Sequence, residues 1–102
     1  MNLKKLRGME YIERVVDDAG PAKQVVVLEP RKWMDACIVG VFEDVEGHLR
    51  LVYSEESIVQ GFQKYDGMEE EEALEYFSYN TVRALPYMHD AKNVGPVILY
   101  DR

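Results

Sequence analysis

Between Ala36 and Tyr53 the chain carries two apolar stretches joined by a short acidic turn, and this pair most limits the folds open to it. Ala36–Glu43 (ACIVGVFE) is nearly continuous in apolar residues, the pattern of a strand covered on both faces. It predicts the central strand of a sheet, with Gly40 placed where something packs closely. Glu43–Gly47 (EDVEG) is turn-like, and His48–Tyr53 (HLRLVY) alternates Leu49, Leu51 and Tyr53 with Arg50. Two such runs with a short glycine-containing connection predict a hairpin.

The flanks add helices and further strands. Leu3, Leu6, Met9, Ile12 and Val15/Val16 step by three through residues 3–18, a helical stripe stopped by Gly20-Pro21, with Gly8 expected to weaken its first turns. Lys23–Glu29 (KQVVVLE) is β-branched and predicts a strand ended by Pro30, with Arg31–Asp35 as a connection. Ser54 can cap a helix whose first turn holds Glu55 and Glu56 and whose face is Ile58, Val59, Phe62 and Tyr65, closing at Gly67. A second helix is expected from about Asp66–Glu69 to Ala84 with the stripe Ala73, Leu74, Phe77, Thr81 and Leu85, stopped by Pro86. A loop over Tyr87–Pro96 leads to a last strand, Val97–Tyr100.

The order is helix, three strands, two helices, one strand. It predicts an α+β fold, a small, mostly antiparallel sheet with helices packed on one face. Residues 21–102 form the single domain in this reading, and residues 1–20 are an N-terminal helix that can stay peripheral to it. A chain of 102 residues is long enough for one modest core without a metal or disulfide staple.

Charge narrows the partners. Residues 1–32 hold seven Lys/Arg against five Asp/Glu, and residues 33–102 hold five against fourteen, so +2 − 9 gives the net −7. Direct nucleic-acid binding is disfavoured, because phosphate contacts need clustered Lys and Arg. No apolar signal-peptide core follows Met1–Arg7, and no run approaches the roughly 20 apolar residues of a membrane span. These features, and a lone cysteine, fit a cytoplasmic protein.

From about Leu28 onward the chain resembles a widespread family of small uncharacterised bacteriophage proteins. The residues that carry the resemblance are the strand ACIVGV, a second strand ending LVYS, a helix, then GMEEEEALEYFSYNTVRAL and a short proline-led strand. The family pattern is a hairpin, a helix, and Gly-Met followed by Glu-Ala-x-Glu-Tyr-Phe-x-Tyr-Asn. Glu69 stands where the family usually has a Ser or Thr cap, and Leu85-Pro86-Tyr87 stands near a position that is often glycine-rich or aromatic. The resemblance implies a phage or prophage origin within a host cell, and it brings no activity with it.

Catalytic signatures are missing: there is no Walker loop, dinucleotide fingerprint, His-Glu-x-x-His or Cys-x-x-Cys. His48 and His89 fall in a hairpin and a loop and are expected to be solvated; with Cys37 or Asp90 they could meet as zinc ligands, but no spacing requires it. Cys37, in an expected central strand, is a small buried hydrophobe rather than a nucleophile. No catalytic residue, metal or cofactor is assigned, and the chain is read as a non-enzyme.

Acids are the main feature. Residues 43–75 hold eleven against Arg50 and Lys64. Glu55 and Glu56 open one helix; Glu70, Glu71 and Glu75, with Tyr76 and Tyr79, lie on the next. Such a run is ordinarily a solvated helix face. Its functional reading is a patch that docks on a basic groove, with the tyrosines as stiff amphipathic anchors. Asn80 is expected to hold the following loop. The expected function is then a phage accessory protein that binds a basic surface of a host protein, in its sharpest form an anti-CRISPR protein or other nucleic-acid mimic. The alternative is a structural module that forms a homodimer without a host target.

Overall fold

The computed structural model describes residues 7–102. The predicted stripe positions Leu3 and Leu6 lie outside the described residues. Helix α1 spans Gly8–Ala19 and sends Ile12 and Val15 into the same core as the rest of the chain, against the hairpin. Gly8 opens the helix for a packing reason: a Cβ there would sit 2.0 Å from the Asp35 carbonyl oxygen, so only glycine lets α1 abut that turn.

Residues 21–37 differ most from expectation. The KQVVVLE segment contributes only a short strand β1, Gln24–Val25, which pairs in parallel with β4, Asn93–Val94. The expected connection is helical: α2 spans Arg31–Met34 and a 3-10 turn continues through Asp35–Cys37. Trp33 and Met34 project from it into the core. Cys37 therefore precedes strand β2, Ile38–Glu43, instead of lying inside it.

The hairpin of β2 with β3, Leu49–Ser54, is antiparallel, with an irregularity between Ile38 and Gly40. Helix α3, Glu55–Asp66, leaves directly from β3, and α4, Glu70–Asn80, folds back on it. A 3-10 segment, Val82–Tyr87, follows, so α4 ends before the predicted Ala84 and Pro86 lies within the 3-10 turns. Strand β5, Val97–Leu99, then pairs in parallel with β3.

The architecture is α+β with a small mixed sheet of order β2-β3-β5. Only the hairpin pairing is antiparallel, where the sequence led to a mostly antiparallel sheet, and β3 rather than β2 is central. The reason is the pair of helices between β3 and β5, a crossover that returns the chain in its original direction. Arg50 secures the result: its Nε donates to the Gly95 carbonyl at 2.8 Å and Nη2 to the Pro96 carbonyl at 3.4 Å, tying β3 to the approach to β5.

One face of the sheet is covered. Leu51 and Tyr53 are fully buried there with Ile58, Val59 and Phe77. The Tyr53 hydroxyl accepts the Leu28 N–H at 2.9 Å, and burial pushes its pKa up to about 12. On the other face Phe42, Val52, Val97 and Leu99 form an apolar patch, with Phe42 and Leu99 about half exposed.

Candidate functional site

The acidic helices are positioned by the last two residues. Ser54 caps α3 by accepting the Ser57 N–H at 3.1 Å, as its place in the sequence predicts. Its hydroxyl donates to Asp101 at 2.6 Å, while the other Asp101 oxygen accepts the Glu56 N–H at 3.0 Å. These bonds hold the Asp101 carboxyl below the usual carboxylate range. Arg102, next in the chain, forms an ion pair with Glu70 in the first turn of α4. These two neighbouring residues thus bind both helices, Asp101 at the start of α3 and Arg102 at the first turn of α4.

Along α4 the side chains sort by helical position. Ala73 and Phe77 are buried. Glu71, Glu72 and Glu75 are exposed and form no ion pair among the described residues. Glu71 and Glu75 stand one turn apart, a like-charge pair that costs about 0.2–0.5 kcal/mol. Tyr76 leans on α3, with its ring edge-on to Phe62 at 5.0 Å and 45% of its surface exposed. Tyr79 is 68% exposed, with the Arg83 guanidinium 5.2 Å from its ring. Asn80 Nδ2 donates back to the Tyr76 carbonyl at 3.0 Å, so it secures the last turn of α4 rather than the following loop.

The acids of residues 43–75 do not gather into one surface. Glu43, Asp44 and Glu46 sit at the hairpin turn, and the six residues of β3 separate that turn from Ser54 by roughly 20 Å at about 3.3 Å per residue. Asp44 has a structural task, accepting the Glu46 N–H at 2.9 Å and the His48 N–H at 3.0 Å.

Neither histidine is simply solvated. His48 is half-buried, and its Nδ1 has no hydrogen-bond partner. His89 Nδ1 accepts the Gly95 N–H at 3.0 Å, a role only a nitrogen without a proton can play, and partial burial and Arg50 lower its basicity. The buried Cys37 thiol donates to the Trp33 carbonyl at 3.8 Å, and burial raises its pKa to about 11, so it stays protonated. Among the described residues no group of three or more His, Cys, Asp or Glu is placed to hold a metal ion, and no helix is long and apolar enough to cross a membrane.

Sequence reasoning passed over Asp101 and Arg102, because capping from a distant terminus leaves no local pattern. It also passed over Lys32, Trp33 and Lys64, which line one cleft although they come from two helices. No protein-family model, curated protein or solved structure matches this chain, so the bacteriophage resemblance stands on the sequence motifs alone.

Proposed function

We propose that the chain is a non-enzymatic binding protein that docks on a basic surface of another protein through the exposed side of α4. The observation that carries this reading is the exposed Glu71 and Glu75, without an ion pair among the described residues, beside the exposed Tyr79. Two stacked carboxylates lose their mutual repulsion when a partner's Lys or Arg settles between them. Tyr79 offers a stiff apolar surface with a polar tip at low entropic cost. Glu55, Glu56 and Glu70, at the helix starts bound by Asp101 and Arg102, form the rim, and Tyr76 supplies the edge facing α3. In the phage setting that the sequence motifs suggest, a nucleic-acid-handling or defence protein of the host presents such a basic groove.

The test is capture of partners from host lysate at low and high salt, comparing the parent with Glu71→Lys/Glu75→Lys. Salt-sensitive capture of a basic protein, lost in the double variant, supports the reading. Capture that is indifferent to both salt and charge reversal sinks it.

A second reading is a homodimer, and the open sheet face favours it. Phe42, Val52, Val97 and Leu99 form an apolar surface beside β5, an edge strand without charged residues. Light scattering over a wide concentration range tests it, and a monomer at every concentration excludes it.

A further inference from the structure

A cleft of about 280 Å³ opens between α2 with its 3-10 turn and one side of α3. Trp33, Ala36, Cys37 and Gly61 give it an apolar lining, and Lys32, Lys64, Ser57 and Gln60 bring polar groups to it. No carboxylate lines it, in a chain with nineteen Asp and Glu against twelve Lys and Arg. Neither lysine forms an ion pair among the described residues. Lys64 Nζ lies 5.1 Å from the centre of the Tyr65 ring, a contact that leaves its N–H groups free to donate. Gln60 gives one amide N–H to Glu56 at 3.0 Å and keeps a second. A neighbouring groove shares Lys32, Ala36 and Ser57 and continues to Arg7 and Arg31, with Asp35 held by Arg31 at 3.0 Å.

We propose that this cleft binds a small phosphate monoester attached to a planar ring, a ligand of the nucleoside monophosphate class. Lys32 and Lys64 both line the cleft, and their ammonium groups are point charges that suit a phosphate dianion, with the Ser57 hydroxyl and the spare Gln60 N–H as further donors. The apolar lining receives the ring. At about 280 Å³ the cleft lies just below the usual range of ligand sites, which run from about 300 Å³ upward, and so admits no more than one small ligand rather than a strand. Charge selects the same way. The net −7 repels a long polyanion, while screening within about 8 Å at physiological salt leaves a small ligand under the influence of the nearby lysines.

Trp33 is the sole tryptophan and lines the cleft, so its emission reports occupancy directly. The experiment titrates the full chain with adenosine monophosphate, inorganic phosphate, adenosine and a short single-stranded oligonucleotide. The expected result is a saturable emission change with adenosine monophosphate, with affinity about tenfold weaker for phosphate or adenosine alone. Lys32→Ala and Lys64→Ala should each weaken binding by about tenfold, and both sites are exposed, so circular dichroism should show the parent fold. No saturable change with adenosine monophosphate overturns the proposal, as does parent-like binding by the double variant. Equal affinity for inorganic phosphate removes the ring from the assignment. Tighter binding of the oligonucleotide replaces a mononucleotide site with a nucleic-acid contact.

Discussion

The indole of Trp33 occupies the space that any side chain on residue 61 would need. A Cβ built on Gly61 meets Trp33 Cζ3 at 2.2 Å, and the same indole lies edge-on to Phe62 at 5.2 Å and stacked on Tyr65 at 5.6 Å. The glycine allows α2 to close on α3, and with it the aromatic cluster and the cleft beside it. Gly61→Ala is therefore expected to destabilise the protein by about 1–3 kcal/mol, although alanine is the better helix former. Urea denaturation checks this, with Trp33 emission as a local reporter; an unchanged or raised midpoint would contradict it.

Ser54 and Asp101 act as one capping unit, so removing either should loosen the start of α3. Ser54→Ala loses the bond from the Ser57 N–H and leaves Asp101 without the hydroxyl, with an expected loss of about 1–2 kcal/mol. The pH dependence carries a defined sign. The Asp101 carboxyl titrates lower in the folded chain than the ordinary value of 3.8, so its contribution is complete above that value and disappears as pH falls through the folded value. Asp101→Asn should flatten that part of the acid limb in a series of denaturation curves.

His89 is held in its neutral form, where Asp101 is held in its charged form, yet both lose stability on acidification. Its Nδ1 accepts the Gly95 N–H only when unprotonated, and its folded value lies below 6.5. In the interval between folded and unfolded values the unfolded chain binds more protons, so stability rises with pH there and falls on acidification. His89→Gln, which keeps an acceptor without titrating, should remove this component while leaving the limb due to Asp101. Thermal unfolding at stepped pH separates the two, because they fall in different windows.

Glu75→Lys offers a test in which stability and binding move apart. It replaces a like-charge pair on α4 with an attractive one, with Glu71 on the N-terminal side, the favourable order. Helix stability is expected to increase by about 0.5 kcal/mol, while capture of a basic partner falls. A fall in both would mean that Glu75 supports the fold, and a rise in stability with unchanged capture would remove it from the docking surface.

Much of the local structure was legible in residue order. The hairpin followed from two β-rich runs and an EDVEG turn, and α3 from Ser54, two acids and a glycine stop. The α4 core followed from the spacing of Ala73 and Phe77. These signals are local: a cap, a turn and a period of 3.6 act within a few residues and need no distant partner. The exposed acids of α4 were legible for the same reason, since a charged run seldom enters a core.

What tertiary structure decided was pairing. KQVVVLE reads as a strand, yet only Gln24 and Val25 form the ladder, because the available partner is the two-residue Asn93–Val94. ACIVGVFE reads as a central strand, but β3 takes that place because the α3–α4 crossover delivers β5 to its free edge. Asp101 and Arg102 reach the two helix starts by the same return of the chain. The residue pattern alone determined the hairpin, α1, α3 and the body of α4 and which side of each helix is apolar, but not the helical turns over Arg31–Cys37 or the short extent of β1. The fold decided which of them meet, because a contact across dozens of residues depends on chain reversal and shared burial, quantities that no single segment contains.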